Sequence, residues 1–254
     1  MIRKHVFGVN ANHDSGFIWR SREVSRLEGF SDAVIGFAVT LLVVSLEVPK
    51  TLDDLLISMG GFVAFGFCFA LLVLIWHTQY TWFRRYGLDD TPTFLLTMVL
   101  LFVVLFFVYP LKFFTAFMME WVRSGDFRHF PSTLLADGRS VQMIGDMGQL
   151  LKMMTIYSAG YAAVFGIFAL MYWHAWRRRE ELDLSDLEEI ETRFSLMEHA
   201  MHFAVGLLGA ILASVAHSAF AMFAFFLIAP LQILQGNLRS RARKKIEALG
   251  PTAS

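Results

Sequence analysis

The sequence predicts an all-α integral membrane protein of six transmembrane helices, and three observations carry that prediction. Of the 254 residues, 56% are hydrophobic, 15% aromatic and only 17% charged, and the mean hydropathy of +0.53 lies above the range of soluble domains. The apolar residues fall in long runs separated by polar links, and a helix rising 1.5 Å per residue needs about 20 of them to cross the hydrocarbon core. Aromatic residues followed by arginines recur at alternate links, which marks one membrane interface. The formal net charge is zero, so overall charge points to no nucleic-acid partner. The single cysteine, Cys68, lies in an apolar run and offers neither a disulfide framework nor a cysteine metal site.

Residues 1–22 lack the continuous apolar core of a signal peptide, and residues 1–25 read as an N-terminal extension. Within it Phe17, Ile18 and Trp19, flanked by Arg20 and Arg22, suit either the membrane surface or a loosely ordered tail. Ser25-Arg26-Leu27-Glu28 has the form of a capping box, so helix one is expected from Arg26 to Pro49. Helix two follows from about Leu55 to Arg85, with Gly60, Gly61 and Gly66 permitting close approach along one half. Thr91-Pro92 starts helix three, expected to reach Val122 with Pro110 inside it. A polar connection over 123–148 leads to helix four, Gln149 to Trp176. A second capping box, Ser185 to Glu188, opens helix five, expected to end near His217. Helix six runs from Ser218 to Leu238 and gives way to Arg239, Arg241, Arg243, Lys244 and Lys245. The cations place both termini and the links after helices two and four on the cytoplasmic side of a cell membrane. The expected organisation is an extension over 1–25, a six-helix membrane domain over 26–238 and a basic tail over 239–254.

Catalytic signatures are missing from the sequence: it holds no H-E-x-x-H, nucleophile elbow, Walker loop or dinucleotide glycine pattern. His199 and His202, with Glu198 beside them, lie three apart on helix five, but without a clear third ligand packing or hydrogen bonding is the better reading. No metal site and no enzyme are therefore expected. Helix one stands out instead. Phe30, Val34, Phe37, Leu41, Val44 and Val48 form one stripe at helical spacing, while Asp32, Gly36, Thr40, Val43 and Glu47 form the adjacent one. Ordinary packing accounts for this with Thr40 bonded back to the carbonyl of residue 36 and Asp32 paired with Arg26. A permeation path accounts for it equally, since ionisable groups in membrane helices face protein or water rather than lipid.

Arg26-x-x-x-Phe30-Ser31-Asp32, followed by Ala38-Val39-Thr40-Leu41-Leu42-Val43 and Glu47, resembles the R-x-x-x-F-S-D signature of the transmembrane protein 175 family of potassium channels. The chain is similar to a single six-helix repeat of the prokaryotic type. The resemblance implies a homotetramer in the bilayer, its central pore lined by four copies of helix one and permeated by K⁺ and other monovalent cations, with no cofactor. The carbonyl filter T-V-G-Y-G is not in the sequence. By the family's spacing Phe37, Leu41 and Val44 form the constriction and Thr40 bears on selectivity. Arg26, Phe30, Ser31 and Asp32 belong to a polar network that holds helix one, with Trp76 and His77 as partners on helix two. Two departures accompany the likeness: Phe37 is bulkier than the aliphatic residue usual there, and Trp76-His77-Thr78-Gln79-Tyr80 keeps the tryptophan but moves the histidine. The rival readings are a secondary or proton-coupled transporter using Asp32 and Glu47, and a non-conducting membrane scaffold.

Overall fold

The computed structural model describes residues 17–21, 23–44, 51–52, 59, 62–125, 129–134, 139–215 and 224–249. Most of these form six helices: α1 (Arg26–Val44), α2 (Phe62–Tyr86), α3 (Thr91–Ser124), α4 (Met147–Arg177), α5 (Asp186–Ser214) and α6 (Ile228–Leu249). A 3₁₀ turn over Phe225–Leu227 leads into α6. Glu47, Pro49, Gly60 and Gly61, and the helix boundaries expected near Leu55, His217 and Ser218, lie outside the described residues. Four of the helices, α2 to α5, are long and apolar enough to cross a membrane.

Local sequence explains most of the boundaries. Asp90, extended and just before α3, accepts from the Thr93 amide at 3.1 Å. The cap is therefore Asp90, one residue earlier than the expected Thr91, because the carboxylate reaches the free N–H groups with more charge. Gly125 closes α3 in the left-handed region at φ 65°. Asp146 caps α4 through the Gln149 amide at 2.8 Å. Ser185 and Glu188 form both halves of the expected capping box. At α1 the box is half made: the Glu28 amide donates to Ser25 Oγ at 3.1 Å, but the Glu28 carboxylate turns to Arg84 at 3.2 Å instead of the backbone.

Two expectations about the ends of the chain are overturned. Phe17 is 1% exposed and belongs to the main apolar core, so residues 17–21 are neither a loose tail nor a surface anchor. The basic cluster is not a tail after the last helix, since α6 continues unbroken through Arg239 and Lys245 to Leu249. The reason is visible in composition: no proline or glycine interrupts residues 237–249. The 123–148 connection holds an antiparallel hairpin, β1 (Ser132–Leu134) with β2 (Ser140–Gln142), Thr133 opposite Val141.

α1 packs against α2 and α3, α3 against α4, and α6 against α5. The closest pair is α4 with α5, where a Cβ added at Gly206 would lie 2.9 Å from the Ala162 backbone nitrogen. Small residues let these backbones approach and gain dispersion contacts that a lipid-facing helix lacks. The main core joins Leu27, Ala38 and Leu42 of α1 to Cys68, Leu72 and Trp82 of α2, Leu100 and Val104 of α3, and Phe168 and Met171 of α4. A second cluster, including Phe117, Ile144, Leu150 and Ala213, closes the hairpin end. Tyr157 of α4 donates its hydroxyl to the carbonyl of Pro110 in α3.

Candidate functional site

α1 divides by burial into two faces. Leu27, Ser31, Ile35, Ala38 and Leu42 are buried against the rest of the subunit. On the other face Phe30, Phe37 and Leu41 are 54%, 56% and 41% exposed, with Gly29, Ala33, Gly36 and Thr40 also open. The open face repeats every three or four residues, so it is a continuous stripe along the helix. Val44 ends α1; its side chain lies outside the described residues.

Thr40 Oγ donates to the carbonyl of Phe37 at 2.7 Å, one residue later than the carbonyl of 36 that ordinary back-bonding predicts. With its proton directed to the backbone, the hydroxyl keeps lone pairs free on the exposed side, the form in which a hydroxyl meets a cation.

Of the expected motif network, the structure brings together one pair: Trp76 Nε1 donates to Asp32 Oδ1 at 2.8 Å. Asp32 thus pairs with α2 and not with Arg26. From there the contact runs down α2 in steps of four residues. Trp76 stacks on Tyr80 at 5.6 Å, the Arg84 guanidinium lies 5.2 Å from the Tyr80 ring, and Arg84 returns to α1 through Glu28 at 3.2 Å. Glu28 and Asp32, four residues apart on α1, face Arg84 and Trp76, eight apart on α2 with Tyr80 between them, across one seam. Ser31 is buried in the subunit, its hydroxyl without a hydrogen-bond partner among the described residues. Arg26 and His77 are exposed, with no hydrogen bond or ion pair among the described residues. Arg26 and Phe30 border an open groove with Leu27, Asp89, Phe94 and Met98.

Sequence reasoning missed a polar collar at the same end of the bundle. His174 Nε2 donates to Asp90 Oδ2 at 2.7 Å, and Arg178 approaches the same oxygen at 3.4 Å. Partial burial works to raise the Asp90 carboxyl, but hydrogen bonds from Thr93 and His174 outweigh it and hold the group below the ordinary carboxylate range. Arg239 of α6 pairs with Glu191 of α5, and Tyr86 shares a hydrogen bond with Thr192 at 2.8 Å. Each partner lies tens of residues away, so only the acidic run over 180–191 beside basic runs hinted at them. The histidines of α5 are partnered too. His202 lies 2.6 Å from the Tyr161 hydroxyl and 3.1 Å from Gln232, and His199 lies 2.7 Å from the Ser195 carbonyl. Among the described residues no group of three or more histidine, cysteine or acidic side chains is placed to hold a metal.

Fold and site together define a multi-pass α-helical membrane protein with one unpartnered, partly polar helix face. Residues 26–108 match the family model for the endosomal/lysosomal potassium channel TMEM175. Over 95% of its length the chain is 35% identical to a potassium channel of Marivirga tractuosa, covering 96% of that protein. A potassium channel of Chamaesiphon minutus is 30% identical over 39% of this chain and 51% of its own. Among solved structures, a T38A variant of the potassium channel MtTMEM175, crystallised with a nanobody fusion, is 35% identical. It superposes with a TM-score of 0.76 over 92% of this chain and all of that one. The chain belongs to the TMEM175 family.

Proposed function

We infer that the chain is the subunit of a potassium-permeable channel, a homotetramer whose pore is lined by α1. The observation that carries this reading is the two-faced burial of α1: one face is sealed into the subunit while the stripe through Phe37, Thr40 and Leu41 has no partner there. A helix facing only lipid has no need of Gly36, Thr40 and Asp32 on its outer side, whereas a helix beside water and other helices does. In this reading Phe37, Leu41 and Val44 form stacked apolar rings that pass ions when wetted. Thr40 hydroxyls replace part of the lost hydration shell, and without stacked carbonyls the pore discriminates among cations modestly. Asp32 and Trp76 hold α1 rather than touch the ion. With α1 and the apolar run before the basic part of α6, the chain crosses the membrane six times, both termini on the cytoplasmic side where the cations gather.

Reconstitution into liposomes tests the reading. Wild-type protein is expected to carry K⁺, Phe37→Ala to raise the conductance several-fold, and Thr40→Val to change the K⁺/Na⁺ permeability ratio by about fivefold, the worth of one hydrogen bond of about 1 kcal/mol. Vesicles in which wild type and both variants pass no cation would end it, and flux that saturates with an organic substrate would replace the channel by a carrier.

A further inference from the structure

The residues just before α1 are fixed with more polar contacts than α1 itself. Phe17 is buried edge-on against Tyr86 at 5.6 Å, and the Arg85 and Arg20 guanidiniums lie 5.0 and 5.7 Å from its ring centre. Arg20 donates through Nη1 and Nη2 to both Glu188 oxygens, at 2.9 and 2.8 Å. Its Nε reaches the Leu182 carbonyl at 2.8 Å and Nη2 also reaches that of Asp183 at 3.0 Å. Glu188, its side chain 1% exposed, additionally accepts the amides of Ile18 and Ser185, both at 2.9 Å. The strap then crosses the end of α2: the Arg20 amide donates to the Arg84 carbonyl at 3.0 Å, and the Arg84 guanidinium donates to the Ser21 carbonyl at 3.4 Å. At the crossing Gly87 has φ +59°, and a Cβ there would stand 3.4 Å from the Ser21 nitrogen.

Ser21 and Arg26 are five residues apart, at most about 18 Å of extended chain. Arg84 holds both sides of that gap, Ser21 by its guanidinium and backbone, and Glu28 of α1 by the ion pair at 3.2 Å. A bidentate guanidinium–carboxylate pair out of water is among the strongest and most directional polar contacts a chain can make. We propose that Arg20 and Glu188 are positioning residues for conduction: their pair, with Phe17 as its wedge, locks the strap 17–21 onto α2 and α5 and thereby fixes where α1 begins. This rests on the reading of α1 as the pore helix. Neither residue belongs to the exposed stripe of α1, so the pair sets how often the path is open and not what passes through it. Changes in α1 position favour one arrangement over another only as far as this pair differs between them, and loss of one charge-assisted contact of this kind corresponds to roughly a tenfold shift of such an equilibrium.

Single-channel recording of the full-length protein tests the proposal. Glu188→Gln keeps a side chain that completes the capping box but removes the charge that faces Arg20. The expected result is an open probability changed roughly tenfold at unaltered unitary conductance and reversal potential, two readouts that a general loss of fold would also move. The double variant Arg20→Gln/Glu188→Gln is expected to shift it no further than either single change, the mark of a shared interaction. If Glu188→Gln does not assemble, Arg20→Lys, which keeps the charge and loses the fork, serves instead with an expected change of about threefold. An assembled variant whose open probability stays at the wild-type value, or single changes that simply add, overturns the proposal alone. A wild-type protein that passes no potassium overturns the pore reading and the proposal with it.

Discussion

Asp90 shows how one side chain serves several elements at once. It caps α3 through the Thr93 amide, accepts from His174 of α4 and lies near Arg178. Asparagine caps a helix as well as aspartate does, so Asp90→Asn isolates the charge. Because the folded carboxyl titrates below its ordinary value, its contribution is fully present above the unfolded value and disappears as pH falls through the folded one. Asp90→Asn is therefore expected to cost about 1 kcal/mol at neutral pH. In thermal melts of the detergent-solubilised protein, the gap to wild type should hold down to the ordinary carboxylate range and close in acid below it; a gap that persists unchanged below that range would contradict the assignment. The Asp32–Trp76 pair marks the limit of reading such residues from sequence. Periodicity put Asp32 beside Thr40 and Gly36, but whether its carboxylate met Arg26 or Trp76 depended on the packing of a second helix, which spacing within α1 does not determine.

At the scale of elements, close approach governs the α4–α5 pair. Gly206 leaves no room for a methyl group against the Ala162 backbone, while Gly236 on α6 has nothing within 4 Å of its missing Cβ. Gly206→Ala is expected to cost about 1–3 kcal/mol through overpacking, and Gly236→Ala to be neutral or to stabilise by about 0.5–1 kcal/mol through helix propensity. Melting temperatures of the two variants in the same detergent check the contrast, and equal effects would refute it. Elements of this kind were largely legible beforehand. Ser185 with Glu188 and Pro92 at the start of α3 act within one helical turn, so adjacent residues carry their signal. The extent of α6 was misjudged because charge was read as the end of a helix, although only glycine, proline or a competing cap ends one. The hairpin over 132–142 left no alternating pattern to find, and the burial of Phe17 had none either, since it depends on Tyr86 and Arg85 some 70 residues on.

For the whole molecule, the exposed stripe of α1 is the face on which the proposed assembly depends. Phe37 and Leu41 are open in one copy, and an apolar stripe flanked by polar positions on a membrane helix is suited to copies of itself. The protein in mild detergent is expected to have a protein mass four times the 28.9 kDa of one chain, measured by native mass spectrometry or light scattering. A monomer at working concentrations would leave the stripe facing lipid and remove the central path. The family was recognisable from the motif around Phe30, Ser31 and Asp32, because that resemblance is local. The polar collar was not, because it is assembled from residues that meet only in the finished bundle.

The link between Arg20 and Glu188 joins positions 168 residues apart, and this has a bearing on biogenesis. During synthesis α1 and its leader emerge long before the carboxylate of Glu188 exists, so the leader lacks that anchor until most of the polypeptide has been made. Chains truncated before the fifth helix would leave that leader open to proteases, whereas completed ones would shield it.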